Sequence, residues 1–497
     1  MKKLLSITAL GSLLLALALA VAPAWAQSVD EKIKALEQEL GQLKTQQIEL
    51  KKEATVAAAQ LPTFAYRPGA GMTITAADWS WSFNVNYLVH VHMYNHLKGN
   101  LTFRDGTSEV GTGGTTKGEL QPRRNRLFMN FCWDDCFYEF AQGFDGESAS
   151  GRPTNWRTSY LKVHFEQSNP YFPVFQIGFY NSAGQTHIAR SSSTDAKLEH
   201  HMLFGLGDWA GDGSHSGIDL QWDRVPVGSG DVSLFLNGQT SRLGATHNDF
   251  RASDRKGLMA FAGTRPFSRT KDKWLSGLEL GLGWQLESVD ARDESKEMRV
   301  RTHERRGRQE LFRITGSAAT GVSDGAGLAY VLIPGIRYTV GPYTIRGVWM
   351  TTRLNTEDNA KGIGVRGSGW NISHQVFLWS PKGLLTGSPT TAGSLMLGFD
   401  FERADPECGR GCDAMPQGPA TGIHRNTILN RETALWYWIR PSMRVGTWWH
   451  WYDTTNTPVR TQAAVGCKHN ATVAGLGKAD SRGCSWHSVN LGGQYRW

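Results

Sequence analysis

The feature of this sequence that most limits its possible folds is a strict alternation of apolar and polar residues. From Trp79 to Met93 every odd-numbered residue is apolar, and among the even-numbered ones only Leu88 is apolar. A period of two puts the apolar side chains on one face of a β-strand and the polar ones on the other. The segment is longer than a usual globular strand, whereas a tilted strand needs about 9–11 residues to cross a bilayer. By itself it fits either a soluble β-sandwich or a membrane barrel.

The same alternation recurs along the chain and predicts sixteen strands. They lie near 79–94, 123–133, 135–145, 157–167, 173–180, 215–224, 229–239, 257–265, 274–288, 327–336, 342–353, 369–380, 393–403, 430–440, 442–453 and 485–497. The connections are alternately long and short, so the long ones all fall at one end. A soluble sandwich gives no reason for this arrangement, but outer-membrane barrels have short periplasmic turns and long outer loops. We therefore predict an all-β protein in which residues 78–497 form a 16-stranded antiparallel transmembrane β-barrel.

Three segments of a different kind precede the predicted barrel. Residues 1–26 combine a charged start, an apolar stretch and an A-x-A cleavage site, which is the pattern of a signal peptide. Residues 28–60 carry apolar residues at alternating spacings of three and four, which predicts a short periplasmic α-helical coiled coil. A single amphipathic helix packed on the body is the alternative. Residues 61–77, with several Pro and Gly, are predicted to be a linker.

The composition is compatible with export to an outer membrane. The mean hydropathy is −0.38, and no segment after residue 26 offers the ~20 apolar residues of a transmembrane helix. The final predicted strand ends on the aromatic residue Trp497, a feature that barrel-insertion machinery reads in outer-membrane proteins. We therefore expect the outer membrane of a Gram-negative bacterium after signal-peptide cleavage. The expected surroundings are lipid and lipopolysaccharide, with no nucleic-acid partner.

Six cysteines in an exported chain suggest disulfides. Their positions form three local pairs, which are Cys132 with Cys136, Cys408 with Cys412, and Cys467 with Cys484. None has the spacing of a C-x-x-C-H haem site, and a zinc site is the weaker alternative to a disulfide. We predict no cofactor and no bound metal.

Several short motifs resemble the phosphate-selective porin O/P family. The R-R-x-R-L pattern at Arg123–Leu127 and its partner Tyr138–Phe144 match two adjacent strands of that family. Farther on, Phe175–Phe179, the serines Ser191–Ser193 and Gly217–Leu220 resemble its V-G-Q-F-K, S-S and G-V-x-L patterns. The resemblance implies a homotrimeric porin whose third loop folds into the lumen and narrows it.

The chain departs from the family pattern at one position that matters for the choice of anion. Where the family usually has Lys at the end of the strand, this chain has Tyr180, and residues 181–190 also differ from the family pattern. In the phosphate-selective members that lysine helps to bind phosphate. The resemblance therefore implies a porin and leaves phosphate selectivity open.

Strand parity indicates which residues face the pore. Because Leu127, Met129 and Phe131 form an apolar face, Arg124 and Arg126 should point into the lumen, and rings of charge at a constriction set selectivity. The predicted pore-lining residues that would attract anions are Arg123, Arg124, Arg126, Lys162, Arg190, Ser191, Ser192, Lys197 and Arg444. The alternative for each arginine is that it reaches the headgroups or pairs with a lumenal carboxylate.

These features predict a porin for the passive diffusion of small solutes, with a preference for anions such as phosphate. The sequence contains no nucleophile–base pair, no metal-ligand spacing and no phosphate-cradling loop, so we do not expect an enzyme. Two alternatives remain. The barrel would serve as a structural or adhesive element or as a sheath for an electron-transfer partner, or its loops would carry an outer-membrane enzyme.

Overall fold

The computed structural model of the chain describes the following residues: 34–47, 49, 61–98, 100–102, 119–145, 155–181, 202–203, 214–242, 257–290, 297–301, 310–315, 326–356, 364–381, 392–408, 427–455, 462–465 and 485–496. They divide into two compact units. One contains an N-terminal helix. The other, made of Phe64–Thr75 and Trp79–Trp497, contains the β-structure.

The helix covers residues 34–47 and lies within the segment predicted to be helical. Its leucines Leu36, Leu40 and Leu43 are all exposed, and their spacings of four and three place them on one stripe. An exposed apolar stripe could pack against a second helix. The coiled coil over 28–60 remains a prediction. Within the described residues, no helix combines the length and the apolar character that a membrane span requires.

The strands, numbered in chain order, are β1 (Thr63–Arg67), β2 (Gly71–Thr75), β3 (Trp81–Lys98), β4 (Asn100–Thr102), β5 (Glu119–Trp133), β6 (Tyr138–Asp145), β7 (Asn155–His164), β8 (Val174–Asn181), β9 (Ser214–Val227), β10 (Gly230–Arg242), β11 (Gly257–Arg265), β12 (Leu278–Asp290), β13 (Glu297–Arg301), β14 (Glu310–Thr315), β15 (Ala326–Val340), β16 (Tyr343–Thr356), β17 (Gly364–Trp379), β18 (Leu395–Cys408), β19 (Ile428–Arg440), β20 (Met443–Thr454), β21 (Gln462–Val465) and β22 (Ser485–Arg496).

Sixteen of these strands form a closed antiparallel barrel. Each of β3, β5 to β12, β15 to β20 and β22 pairs with the next strand in this order, and β22 pairs back with β3. The strands β13 and β14, and likewise β4 and β21, form two separate two-stranded sheets. Closure pairs every strand on both sides, which lets a β-sheet cross a bilayer without an exposed edge. The predicted 16-stranded barrel is confirmed.

The two faces of the barrel wall differ as the alternation predicts. In β19 the side chains alternate between buried and more exposed along most of the strand, with Leu435, Tyr437 and Ile439 on the outside and Glu432 on the inside. The same holds in β18, where Phe401 is exposed on the outside. An apolar outer wall with a polar interior is the arrangement of a transmembrane barrel.

The short connections lie at one end of the barrel and carry aromatic residues. Three of them, 228–229, 341–342 and 441–442, contain only two residues each. Exposed aromatic side chains at or beside this end include Tyr171, Phe172, Trp274 and Trp379. Aromatic residues concentrate where a barrel meets the headgroup region. This end is therefore expected at a membrane interface, and its assignment to the periplasmic side remains the prediction made from the short connections.

The predicted linker 61–77 contains β1 and β2, which pair with each other. β2 lies along the lower part of β3, with Met72 opposite Val85 and Thr75 opposite Ser82. The closing strand β22 pairs with β3 only as far as Leu88. The hairpin therefore continues the line of β22 and covers the edge of β3 that the C-terminal strand leaves open.

Local side chains hold this hairpin against β3. The amide of Asn84 donates to the carbonyl of Ala70 at 3.0 Å and to the hydroxyl of Thr73 at 2.9 Å. Gly71 has φ +86°, and a Cβ at this position would collide with the backbone of Val85. Sequence reading missed the hairpin because two strands of five residues, separated by Pro and Gly, have too little alternation to stand out. The strand predicted to begin at Trp79 begins instead at Trp81.

The first short turn contains a disulfide between Cys132 and Cys136, as predicted. Asp134, Asp135 and Cys136 all have positive φ, so the chain reverses within four residues.

The other two predicted bridges are not established by the structure. Cys408 is the last residue of β18, and its predicted partner Cys412 lies outside the described residues. Cys467 and its predicted partner Cys484 also lie outside them, since β22 and the described segment around it begin at Ser485, directly after Cys484. The bridge of Cys408 with Cys412 and the bridge of Cys467 with Cys484 therefore remain predictions.

Candidate functional site: the inner face of the barrel

The inner face of the barrel carries buried polar and charged residues on many of its strands, together with apolar stretches on β10, β11, β15 and β16. Its buried members include residues of both signs, with arginines on β5, β16 and β20 and carboxylates on β9, β10, β18 and β19. A hydrophobic cluster of Phe377, Met396, Trp436, Trp438 and Trp448 occupies one sector near the short-turn end. The interior therefore consists of sectors with distinct chemistry rather than of a uniform ring.

A row of basic and amide side chains crosses four neighbouring strands. Arg124 on β5 is opposite His90 on β3. His90 is opposite Gln494 on β22, which is opposite Arg444 on β20. Side chains directly opposite one another on adjacent strands have Cβ atoms about 4.5–5.5 Å apart. We call these four residues the basic row, and Arg126 lies one inward position away from Arg124.

The arginines of this sector are inward-facing but almost completely covered. Arg124, Arg126 and Arg444 are 1%, 6% and 4% exposed. The guanidinium carbon of Arg444 lies 4.5 Å from the ring centre of Trp436 and 5.6 Å from that of Trp438. Because the planar face of the Arg444 guanidinium already contacts these rings, we expect Arg444 to act on a passing ion mainly through its electric field.

A hydrogen bond fixes the remaining edge of Arg444. Its Nε donates to Oε1 of Gln494 at 2.9 Å. Trp436 also stacks on Trp448 with ring centres 5.6 Å apart, and Trp448 meets the edge of His92 at 5.2 Å. Stacking of a guanidinium on indole rings positions the charge and contributes about 0.5–2 kcal/mol per contact. The charge of Arg444 is therefore held at one place on the wall.

Of the other residues predicted to line the pore, only Lys162 has a described side chain. Arg123 belongs to β5, where it is the extra residue of a β-bulge, because the pairing with β3 passes from Arg124 to Pro122. Its side chain lies outside the described part. Four further predicted residues fall entirely outside it: Arg190, Ser191, Ser192 and Lys197.

Lys162 faces the interior next to a carboxylate. It is opposite Glu139 on β6, and its Nζ lies 5.0 Å from the ring centre of Tyr160. Glu139 also accepts a hydrogen bond from the hydroxyl of Tyr160 at 3.2 Å and lies 3.2 Å from Nε2 of His164. The positive charge of Lys162 is therefore largely offset by Glu139, as in the alternative interpretation of the sequence.

Tyr180, the residue that replaces the lysine of the resembling family, is buried on the inner wall. Its hydroxyl accepts a hydrogen bond from the amide of Asn237 at 2.8 Å, and its ring meets that of Tyr160 edge-on at 6.2 Å. Asp219 lies beside Asn237 in the register of β9 and β10. This sector offers a neutral hydroxyl and a carboxylate where a phosphate-binding lysine would otherwise stand.

A second buried polar cluster lies on β17, β18 and β19. The amide of Asn371 donates to Asp400 at 3.0 Å and to Glu402 at 3.3 Å. Glu432 on β19 is opposite Asp400 and lies 3.6 Å from Nδ1 of His450. Sequence reading did not select these carboxylates, although the apolar parity of the predicted strand 393–403 already places both Asp400 and Glu402 on the inner face.

A segment of the third long connection lies against this acidic cluster inside the barrel. The backbone N–H of Met202 donates to Oε2 of Glu402 at 3.1 Å, and both Met202 and Leu203 are buried. Gly369 provides the space for this contact, because a Cβ there would collide with the side chain of Leu203. The contact agrees with a third loop that folds into the lumen, as the family resemblance implied.

In the part of the chain that the structure describes, no group of three or more His, Cys, Asp or Glu side chains is arranged to hold a metal ion. No protein-family model matches the chain, and no curated protein sequence matches it.

Solved structures of outer-membrane proteins are similar to the barrel. The trimer form of OmpT, an outer membrane protein of Vibrio cholerae, has 11% identity and a TM-score of 0.49, and 84% of this chain covers 100% of that one. An anion-selective porin from Comamonas acidovorans has 11% identity and a TM-score of 0.48, and 84% of this chain covers 100% of that porin. The outer membrane channel DcaP of Acinetobacter baumannii has 9% identity and a TM-score of 0.47, and 84% of this chain covers 98% of that channel. These values are too low for any property of those proteins to be carried over to this chain.

Proposed function

We propose that this chain forms a water-filled channel for the passive diffusion of small solutes across an outer membrane. The observation that carries the proposal is a closed barrel of sixteen strands whose inner face carries many polar and charged residues and whose outer face is apolar. Barrels of this strand number enclose an aqueous channel rather than a filled core. The loop contact of Met202 and Leu203 would narrow the lumen on one side.

We further propose that the channel prefers anions. The basic row and Arg126 put three guanidinium groups on one sector of the wall, two of them on β5 and one on β20. Their positive potential would raise the local concentration of anions and lower that of cations. The carboxylates Asp400, Glu402 and Glu432 lie in another sector and would limit the preference, so we expect moderate rather than absolute selectivity.

Among the residues that the structure describes, we find no support for a phosphate-specific binding site. Specific oxyanion binding uses accessible donors such as a bidentate guanidinium or a lysine. Arg444 is enclosed by two indole rings and Gln494, and Tyr180 occupies the position of the family lysine. We therefore propose a general preference for small anions, in which phosphate is one permeant among others.

The exposed leucines of the helix support a homotrimer joined at its N-terminal segments. Leu36, Leu40 and Leu43 form an exposed apolar stripe on the helix, and such a stripe is normally buried against a partner. In line with the expected signal peptide, we propose that the coiled coil lies in the periplasm and the barrel among lipid and lipopolysaccharide. Cross-linking of a Leu40→Cys variant with a trifunctional maleimide, which can join three thiols, should give trimers if this assembly is correct.

Conductance in planar bilayers tests the proposed function. The protein should insert as stable channels that conduct in simple salts, in steps of three for a trimer. The reversal potential in a potassium chloride gradient should have the sign of anion preference. Absent conductance would reject the channel and favour the structural or sheath alternatives, whereas a cation-selective reversal potential would reject only the anion preference.

A further inference from the structure

A second charged site lies at the short-turn end of the inner wall, away from the basic row. Strands β9 to β12 and β15 enclose a cavity of about 230 Å³ there. Six charged residues line it, three of each sign: Asp223, Arg224, Asp231, Arg265, Glu279 and Arg337. Their charges sum to zero but are separated in space. Carboxylates and guanidinium groups alternate from β10 through β11 and β12 to β15, and β9 contributes one of each.

One pair within this site is rigid. Arg265 donates from Nε to Oδ1 of Asp231 at 2.9 Å and also bonds its second carboxylate oxygen. The hydroxyl of Ser268 donates to the same carboxylate at 2.7 Å. Bidentate pairs with an additional donor satisfy both partners and fix their geometry. Asp231 and Arg265 therefore form a fixed ion pair on one side of the cavity, and neither of them is available to a solute.

The pair on the opposite side is loose. Nη1 of Arg337 and Oε2 of Glu279 are 3.6 Å apart, which is beyond hydrogen-bond distance, and the side chains are 22% and 27% exposed. A partly solvated pair of this kind contributes little to stability and can exchange partners at small cost. Both residues remain available to a charged solute.

A β-bulge sets Arg224 at the mouth of the cavity. Pairing between β9 and β10 shifts between Val232 and Leu234, so that Asp223 and Arg224 both lie opposite Ser233. Arg224 has φ +56°, and its N–H donates to the hydroxyl of Ser233 at 3.0 Å, which in turn donates to Asp223 at 2.8 Å. Bulges redirect side chains, and strained backbone in a non-glycine residue points to a function.

The side chain of Arg224 makes no hydrogen bond or ion pair with any residue that the structure describes, although it lines the cavity. We infer that this cavity binds small zwitterionic solutes during their passage. Arg224 and Arg337 would take the carboxylate, while Asp223 and Glu279 would take the ammonium group. This inference rests on the proposed channel function.

The geometry favours two charges on one solute over a single charge. Neighbouring strands are about 4.8 Å apart, so a group of each sign lies within one strand spacing of its opposite. A singly charged solute that approaches one partner meets a repelling group at a similar distance. A solute with both charges separated by about one strand spacing satisfies both sides at once.

Single-channel recording with three matched probes tests the inference. The probes are 4-aminobutyrate, butyrate and butylammonium, which share a chain length and differ in charge. We expect 4-aminobutyrate to interrupt the current at a concentration at least about fivefold lower than either singly charged probe. Arg224→Gln and Arg337→Gln should each raise that concentration by about three- to tenfold, as expected for the loss of one charge-assisted contact. Arg366→Gln, on an exposed pair with Glu407, is the matched control and should have no effect.

Two outcomes would overturn the inference while leaving the channel intact. One is equal interruption by the three probes, and the other is unchanged interruption in both variants. If the protein does not conduct at all, the proposed function fails. Calorimetric titration of 4-aminobutyrate into the detergent-solubilised protein then decides on the cavity separately, since the absence of binding would reject it.

Discussion

Replacement of both Arg124 and Arg444 by glutamine should lower the anion-to-cation permeability ratio about sevenfold in 0.1 M salt. The two residues are three strand spacings apart on the basic row, which corresponds to about 14 Å at ~4.8 Å per spacing. An ion above the middle of the row is therefore about 7 Å from each guanidinium. Glutamine keeps most of the bulk and the hydrogen-bonding capacity of the side chain, so the change is largely one of charge.

The magnitude follows from Coulomb's law with screening. Two unit charges 7 Å apart in water interact with about 0.6 kcal/mol. A Debye length of about 10 Å at 0.1 M salt reduces this to about 0.3 kcal/mol. Each arginine then favours an anion by a factor of about 1.6 and disfavours a cation by the same factor, which changes the ratio by about 2.7 per residue. In 1 M salt, where the Debye length is about 3 Å, the combined effect falls to about 1.5-fold.

The reversal potential in a potassium chloride gradient measures this ratio directly. The single variants should each give about the square root of the combined effect, because the two sites do not touch. Arg366→Gln removes an arginine from an exposed ion pair and should leave the ratio unchanged. A double variant that conducts normally with the original reversal potential would refute the electrostatic argument. So would a change of equal size in 1 M salt.

Three further predictions concern other parts of the barrel. Leu203→Ala removes the side chain that contacts Gly369 and should raise the single-channel conductance, and an unchanged conductance would show that this contact does not narrow the pore. Glu402→Gln keeps a hydrogen-bond acceptor but removes a lumenal charge, so the anion-to-cation ratio should rise about two- to threefold in 0.1 M salt, and a fall would contradict the assigned sectors. Loss of the bridge in a double variant with Cys132→Ser and Cys136→Ser should lower the free energy of unfolding in lipid vesicles by about 2 kcal/mol, measured by urea titration, because the bridge spans only four positions. An unfolding midpoint equal to that of the parent protein would show that the turn holds without the bridge.

The strands and their orientation could be predicted from the sequence because a membrane barrel imposes a simple rule on each strand. One face meets lipid and the other meets water, so Phe131 and Arg124 on the same strand identify their sides without any knowledge of the neighbours. The same rule places Asp400 on the inner face. The disulfide of Cys132 with Cys136 could also be predicted from the sequence, because the two cysteines are only four positions apart.

The neighbours of each inward residue could not be predicted in the same way. Alternation gives a face but not a register, and the register decides that Arg444 lies beside Gln494 and that Lys162 lies beside Glu139. Whether an arginine attracts a solute or is offset by a carboxylate therefore depends on pairing between strands. The bulge at Arg224 could not be predicted either, because it is a shift in the pairing of β9 with β10 and depends on the register of both strands.

The sequence by itself determined where the sixteen barrel strands lie and which of their faces meet lipid, because both follow from local periodicity and from the solvent on either side of the wall. The alternating long and short connections, rather than the periodicity, favoured a barrel over a soluble sandwich. Only the tertiary structure decided that β2 completes the seam beside β3, that Leu203 lies inside the barrel, and that charges of opposite sign meet around one cavity. These contacts join residues far apart in the chain, and no local pattern encodes the distance between them.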